Sequence, residues 1–422
     1  MSPGNVTKNV LRNTSKDEFY NHVSFPSISV LSLLMMFFTP LVSFFLLNIT
    51  NPTATFVPSY EVVAVYFCWL LYQLILYFIL PGRIAYGQKT PAGLELKYKC
   101  NGHETFVVSL VTYTILVLTS SIDNSWIRNN WFALFTVSNV FAFFLTFFAY
   151  FKSLYFPTHS KDRKFRGSFF YDLLMGVEFN PRFGNFDFKL FFNGRPGIIG
   201  WVIINISFLF HDEMTLSKSV LFTLQLLYVQ DFFANEKWYL KTIDMAHDHF
   251  GFYFCWGDLV WLPFMYTLQA QYLNFTGAYC DLCASIALLF GCFAYCLFRL
   301  VNDEKQNFRD ADGECLIWGQ RPKYINVKYK TLDGCEHKSK LLASGFWGLA
   351  RHFNYVPDLI LSFCYGLACG VDSIIPYLYF FYMCIVLVHR IERDHGKCLE
   401  KYGEGYVEYC RRVKYKLIPY VY

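Results

Sequence analysis

"YLYFFYMCIVLVHRIERDHGKCLEKYGEGYVEYC", residues 377–410, joins two kinds of sequence without a break. The first part is apolar and aromatic and carries no charge. The second is studded with charges and tyrosines. The apolar part reads as the end of a membrane span, and the charged part as a helix leaving the membrane. Within it Arg390, Asp394, Cys398 and Lys401 recur at spacings of 4, 4 and 3, so they form one stripe on a helix. Tyr402 sits beside the stripe. Gly403 and Gly405 end or bend the helix, and "YVEYCRRV" resumes with Tyr409. A solvated juxtamembrane helix would carry charge all round, whereas a single stripe facing its neighbours would line a pocket.

The rest of the chain agrees with a membrane setting. Of 422 residues, 55% are hydrophobic, 21% aromatic and only 16% charged. Soluble domains average about 25% charged residues. Apolar runs fall at 28–47, 62–80, 106–121, 131–150, 198–210, 220–233, 250–272 and 285–301, with two more inside 358–388. The expectation is an all-α polytopic protein of about ten transmembrane helices with both termini in the cytosol. Its expected divisions are a polar segment 1–25, N-terminal membrane helices 26–156 and a C-terminal part 157–422 that holds the polar stretches. The first twenty-five residues include Lys8, Arg12 and Lys16 and do not read as a signal peptide. A net charge of +5 fits Lys- and Arg-rich cytosolic loops, not a nucleic-acid binder. The fourteen cysteines lie mostly in apolar runs, and "CDLC" at 280–283 lacks the second pair a zinc site needs.

Two stretches are too polar to span. "MGVEFNPRFGNFDFKLFFNGRPG", residues 175–197, reads as an interfacial loop. Residues 302–355 read as a long loop holding a hairpin at "INVKYKT" followed by "DG". Between the spans, "QDFFANEKWYLKTIDMAHDHFGFYFCWGDLVWLP", residues 230–263, sets Asp231, Glu236, Lys241, Asp244, His247, Asp248, His249 and Asp258 among aromatics. Ionisable groups at membrane depth are costly and usually face a cavity or one another. Asp244 and His247 are one helical turn apart and could pair. The set reads as a polar cavity with a proton donor, or else as caps on short helices. Ligation of iron or zinc by "HDH" with Asp244 would need clustered histidine boxes that the chain lacks. Lys305 and Arg309, four apart, share a helix face suited to a phosphate. No GxGxxG follows a strand and there is no P-loop, so any nucleotide site would be built from helix faces and the long loop.

Long ungapped runs resemble the sterol reductase family. They are "MGVEFNPRFGNFDFKLFFNGRPGIIGWVIIN", "NEKWYLKTIDMAHDHFGFYFCWGDLVWLPFMYTLQAQYL", "KLLASGFWGLARHFNY" and "HRIERDHGKCLEKYG". They cover most of residues 171–422, whereas the N-terminal 150 residues match only in being hydrophobic. "KTIDMAHDHFG", "SGFWG" and "FNGRPG" look most like the 7-dehydrocholesterol reductase members; the Δ14-sterol reductases tend towards "TTDGFG" and "SGWWG". The resemblance implies reduction of the C7=C8 bond of a Δ5,7-sterol, with Δ14 reduction as the alternative, in the endoplasmic reticulum membrane. It implies partners that are lipid and sterol, with other sterol-biosynthesis enzymes possible and no nucleic acid.

It also implies NADPH, held by Lys305, Arg309, Leu342, Trp347, Asn354, Tyr355, Asp394, the run Cys398, Leu399, Glu400, Lys401 and Tyr402, and Tyr409, with Arg390 on the same stripe. No metal is implied. One departure is Gly396 in "RDHGKC", where a charged residue is expected. An isolated alkene is not polarised, so a proton must reach one carbon and a hydride its neighbour. Tyr239 is the leading proton donor, with Asp394 orienting the cofactor or feeding a relay, and His247 with Asp244 as a second relay. Two other classes stay open. The tail also resembles membrane methyltransferases that use S-adenosylmethionine, which lack the "WYLKTID" block. A sterol-binding scaffold without catalysis is the other.

Overall fold

In a bilayer core no water satisfies backbone N–H and C=O groups, so apolar runs fold as helices. The computed structural model describes residues 25–50, 55–331 and 334–422; residues 1–24 of the polar segment 1–25 lie outside the described residues. The longer helices are α1 (Phe25–Thr50), α2 (Tyr60–Ile79), α3 (Gly102–Leu118), α4 (Trp131–Tyr155), α5 (Pro196–Leu209), α6 (Leu216–Ala234), α7 (Asp281–Asp310), α8 (Tyr355–Leu367), α9 (Leu378–Tyr402) and α10 (Glu404–Arg412).

The expected ten spans are not all of one kind. Among the described residues, five helices are long and apolar enough to cross a membrane: α1, α2, α4, α7 and the segment Ile375–Tyr402 that contains α9. The others fall short in length or continuity. At 1.5 Å per residue, the 14 residues of α5 reach only about 21 Å against a core of about 30 Å. The run 250–272 is not one helix. It breaks into Phe252–Trp256, a π-helical turn at Gly257–Trp261, then Leu262–Met265 and Leu268–Thr276. Pro263 lacks the N–H that a continuous helix needs there, which accounts for a disturbed ladder just before it.

The all-α expectation holds in the main. The protein is mainly helical, with three two-stranded antiparallel sheets among the described residues. The expected hairpin is one of them. Tyr324–Lys330 pairs with Glu336–Leu342 in a register running from Tyr324↔Leu342 to Lys330↔Glu336. The polar stretch 302–355 is therefore not one loop: its first residues extend α7 to Asp310, and the hairpin follows. The stretch 175–197 is not an interfacial loop either. Glu178, Asp187, Lys189 and Arg195 are each at most 3% exposed. They are buried because each has a partner. Glu178 pairs with Lys152 at 2.9 Å, Asp187 with Arg182 at 2.7 Å and Arg195 with Glu236 at 2.5 Å. Lys189 Nζ donates to the carbonyls of Met245 (3.1 Å) and Asp248 (2.6 Å).

Helix α7 positions the site. Its buried face is a row of small residues, Ala284, Ala287, Gly291 and Ala294, which lets α6 and α8 pack closely against it. Its N-terminus is capped by Cys280, whose Sγ accepts from the Cys283 N–H at 3.3 Å, so "CDLC" has a structural role there. Its 30 residues make about 45 Å, longer than the bilayer core. The excess carries Lys305 and Arg309 past the apolar part of the helix. At the other end of the chain, Gly403 closes α9 with φ of +52°, a conformation L side chains rarely adopt. The chain then reverses into α10, which clamps the hairpin through Ile325, Val327, Leu399, Tyr406, Tyr409 and Val413.

Candidate active site

A cavity of about 610 Å³ runs between α7, α8, α9 and the residue 230–266 region. Along α9 it is lined by Tyr379, Tyr382, Met383, Val386 and Leu387, then by Arg390, Asp394, Lys397, Cys398, Lys401 and Tyr402. From 379 to 402 is about 35 Å of helix. One half of the cavity is thus aromatic and apolar, and the other is charged.

The charged half gathers most of the residues singled out in the sequence. Lys305, Arg309, Leu342, Trp347, Asn354, Tyr355 and Tyr409 line it together with the α9 stripe. Lys305 Nζ stands 3.6 Å from the centroid of the Trp347 ring, and the Trp347 indole donates to the Val301 carbonyl at 2.9 Å. Asp394 lies 3.6 Å from His352 Nε2 and accepts from the Cys398 thiol at 3.7 Å. Burial pushes the His352 pKa down to about 4, so the ring beside Asp394 is neutral. Lys401 Nζ is 4.1 Å from the Tyr329 ring of the hairpin, which also meets Tyr402 edge-on. A Cβ at Gly396 would touch nothing within 4 Å, so the unexpected glycine leaves the stripe undisturbed.

Two residues of the run at 398–402 do not face the cavity. Leu399 is buried against the hairpin and Glu400 is exposed. At 100° per residue, a contiguous run cannot all point one way.

Tyr239, Asp244 and His247 line the cavity where its halves meet. The Tyr239 hydroxyl is buried and has no hydrogen-bond partner. The expected Asp244–His247 pair does not form. Asp244 instead accepts two bonds from Arg390 Nη2, at 2.8 and 2.7 Å. A charged guanidinium is the stronger partner for a buried carboxylate. Burial pushes the His247 pKa down to about 4, so that ring is neutral and could not compete.

Other charges of the central segment have partners from distant elements. Asp231 accepts from Arg299 at 3.1 Å and from Tyr295 at 3.0 Å. Asp248 meets Arg393 and Lys397. Arg393 and Lys397 escaped the sequence reading, although their i, i+4 spacing on α9 was a usable signal. Asp258, one of the ionisable set of the central segment, also lines the cavity, as do Trp261 and Asp358, to which the sequence assigns no role.

The model of the Ergosterol biosynthesis ERG4/ERG24 family matches residues 1–422. The chain belongs to the sterol reductase family. It is 44% identical over 384 residues to a 7-dehydrocholesterol reductase of Xenopus laevis, covering 86% of this chain and 80% of that protein. Against the 7-dehydrocholesterol reductase of Danio rerio the figures are 42% over 440 residues, 94% and 91%. A Delta(14)-sterol reductase of Dictyostelium discoideum is 35% identical over 373 residues, covering 86% and 78%. This sterol reductase is therefore an enzyme of sterol biosynthesis with membrane-length helices, and the charged and aromatic halves of its cavity are the surfaces available for chemistry.

Proposed function

We propose that the protein reduces the C7=C8 bond of 7-dehydrocholesterol or a related Δ5,7-sterol with NADPH, in cholesterol-type sterol biosynthesis at the endoplasmic reticulum membrane. The observation that carries the reading is the two-part cavity. An aromatic half suits a flat apolar polycycle, and a cationic half suits a phosphorylated dinucleotide. The higher identity to the two vertebrate relatives than to the Delta(14)-sterol reductase favours the Δ7 bond.

The residues present fit NADPH. Lys305 and Arg309 offer cations to phosphate, Trp347 offers a ring face, and Asn354 has a buried amide oxygen without a partner on the cavity wall. When bound, NADPH supplies the hydride. The protein's own part is the proton and the field around it. Burial raises the Tyr239 phenol well above its ordinary pKa, so it stays protonated. Such a phenol is a weak acid, and the anion it leaves needs a cation. Arg390 is the cation that acts on it in the opposite sense. Aromatic faces around the cavity stabilise positive charge developing on the sterol ring.

The test is purified protein with NADPH and, in parallel, a Δ5,7-sterol and a Δ8,14-sterol. Loss of the conjugated-diene absorbance should be faster with the former. Faster turnover of the Δ14 substrate would overturn the Δ7 assignment.

A further inference from the structure

The π-helical turn Gly257–Trp261 carries two buried polar atoms that nothing satisfies. Asp258 is 8% exposed, and its Oδ2 has no hydrogen-bond partner. The Trp261 indole N–H has none either, although the Tyr382 hydroxyl interacts with Trp261, as the Asn193 side chain does with the Asp258 carboxyl. Both side chains line the cavity. One is an acceptor and the other a donor. Leaving such a pair unmet costs about 1–3 kcal/mol for each group, and π turns inserted in helices are frequent at functional sites.

The walls around the pair are aromatic. The Trp261 ring lies 4.9 Å from that of Tyr382, and Tyr266 lies 4.8 Å from Tyr379. The turn is also pinned. A Cβ at Gly197 of α5 would meet the Asp258 carbonyl oxygen at 2.3 Å, so only glycine allows this approach. The ligand these features describe is a flat apolar ring system bearing one hydroxyl. A hydroxyl both donates and accepts, and it would satisfy both orphaned atoms at once.

We propose that Asp258 and Trp261 bind the substrate's free ring hydroxyl, the 3β-hydroxyl of a sterol. The hydroxyl donates to Asp258 Oδ2 and accepts from Trp261 Nε1–H. This rests on the sterol reading of the cavity, but it concerns recognition and not reduction. The pair thereby sets which end of the sterol enters the aromatic half, and it excludes esterified sterols.

The test is equilibrium binding of radiolabelled cholesterol and of its 3-methyl ether to the purified full chain in detergent. Binding does not depend on which double bond is reduced, or on whether one is. The wild type should prefer the free alcohol by roughly tenfold or more, the discrimination expected when a ligand leaves buried polar groups unpaired. Asp258→Leu and Trp261→Phe should each lose most of that preference. Equal wild-type binding of alcohol and ether would overturn the proposal without any variant. So would a failure to bind sterol, or variants that keep the full preference. Failure of the diene assay with the alcohol preference intact would remove the reaction assignment and leave the hydroxyl site standing.

Discussion

Tyr239→Phe should separate catalysis from stability. The substitution removes one oxygen and keeps the ring, which packs 5.2 Å from Phe232 in a small cluster with Leu190, Leu240 and Met245. In the structure that oxygen makes no hydrogen bond. Its removal therefore breaks nothing, and removing a buried unsatisfied polar atom is neutral or stabilising within about 1 kcal/mol. Folding should be unchanged or slightly improved. The rate should not survive in the same way. A positioned general acid contributes about 10²–10⁴-fold, so the loss should be at least a hundredfold, or about 2.7 kcal/mol in the barrier. The assay is diene absorbance under saturating NADPH, with thermal unfolding in the same detergent as control. NADPH affinity should stay near normal, because Tyr239 stands where the halves meet and not among the cations. Retention of most activity would refute the acid role. A large fall in melting temperature would refute the reading of the hydroxyl as unbonded.

Arg309→Ala should raise the apparent KM for NADPH by roughly tenfold or more, from a charge-assisted contact of about 1.5–3 kcal/mol, while NADH is barely affected; steady-state kinetics with both cofactors checks this. Asp244→Ala should cost about 3–5 kcal/mol of stability, because it strands the Arg390 guanidinium. Arg390→Met in that background should recover part of the loss in thermal unfolding. Burial lowers the pKa of His247 and His352 to about 4 and of His249 to about 3. The unfolded chain then binds more protons below about pH 6.5. The stability that these three imidazoles carry should accordingly fall as pH drops from 6.5 towards 4: in melting scans His247→Gln should lose less than the wild type over that range, and the two should run parallel above pH 7.

The sequence exposed some of this site and hid the rest for physical reasons. The stripe Arg390, Asp394, Cys398 and Lys401 was legible because a helix repeats every 3.6 residues, and Lys305 with Arg309 for the same reason. The hairpin announced itself through "DG" after an alternating run. Leu399 and Glu400 came in with their neighbours as a block, but adjacent helical residues diverge by 100°. The Asp244–Arg390 pair joins residues 146 apart, and no local spacing can report such a contact. The break at Gly257–Trp261 was hidden as well. Hydropathy sees an apolar run there and cannot see that Pro263 withholds a backbone donor.

The same long-range pairs explain how the charged wall of the cavity is held together without a strand–turn–helix unit. A dinucleotide-binding domain fixes its phosphates and its acidic residue on one continuous βαβ frame. Here much of the charged half lies on α9, and residues 239–247 stand where it meets the aromatic half, so something must hold the two together. Three basic residues of α9 do so. Arg390 binds Asp244, while Arg393 and Lys397 converge on Asp248. From the opposite side Lys189 donates to the carbonyls of Met245 and Asp248. Buried pairs of this kind add little net stability, but losing one partner is expensive. Their effect is to fix one arrangement. Each cation of α9 reaches the 243–248 turn at a single register, so a slip of α9 by one residue would strand several charges at once. Tyr239 is carried by the same short segment and is held at a set distance from the Asp394 stripe. In the reaction proposed above, proton and hydride arrive on neighbouring carbons, and a frame of buried ion pairs would provide the alignment that such chemistry requires.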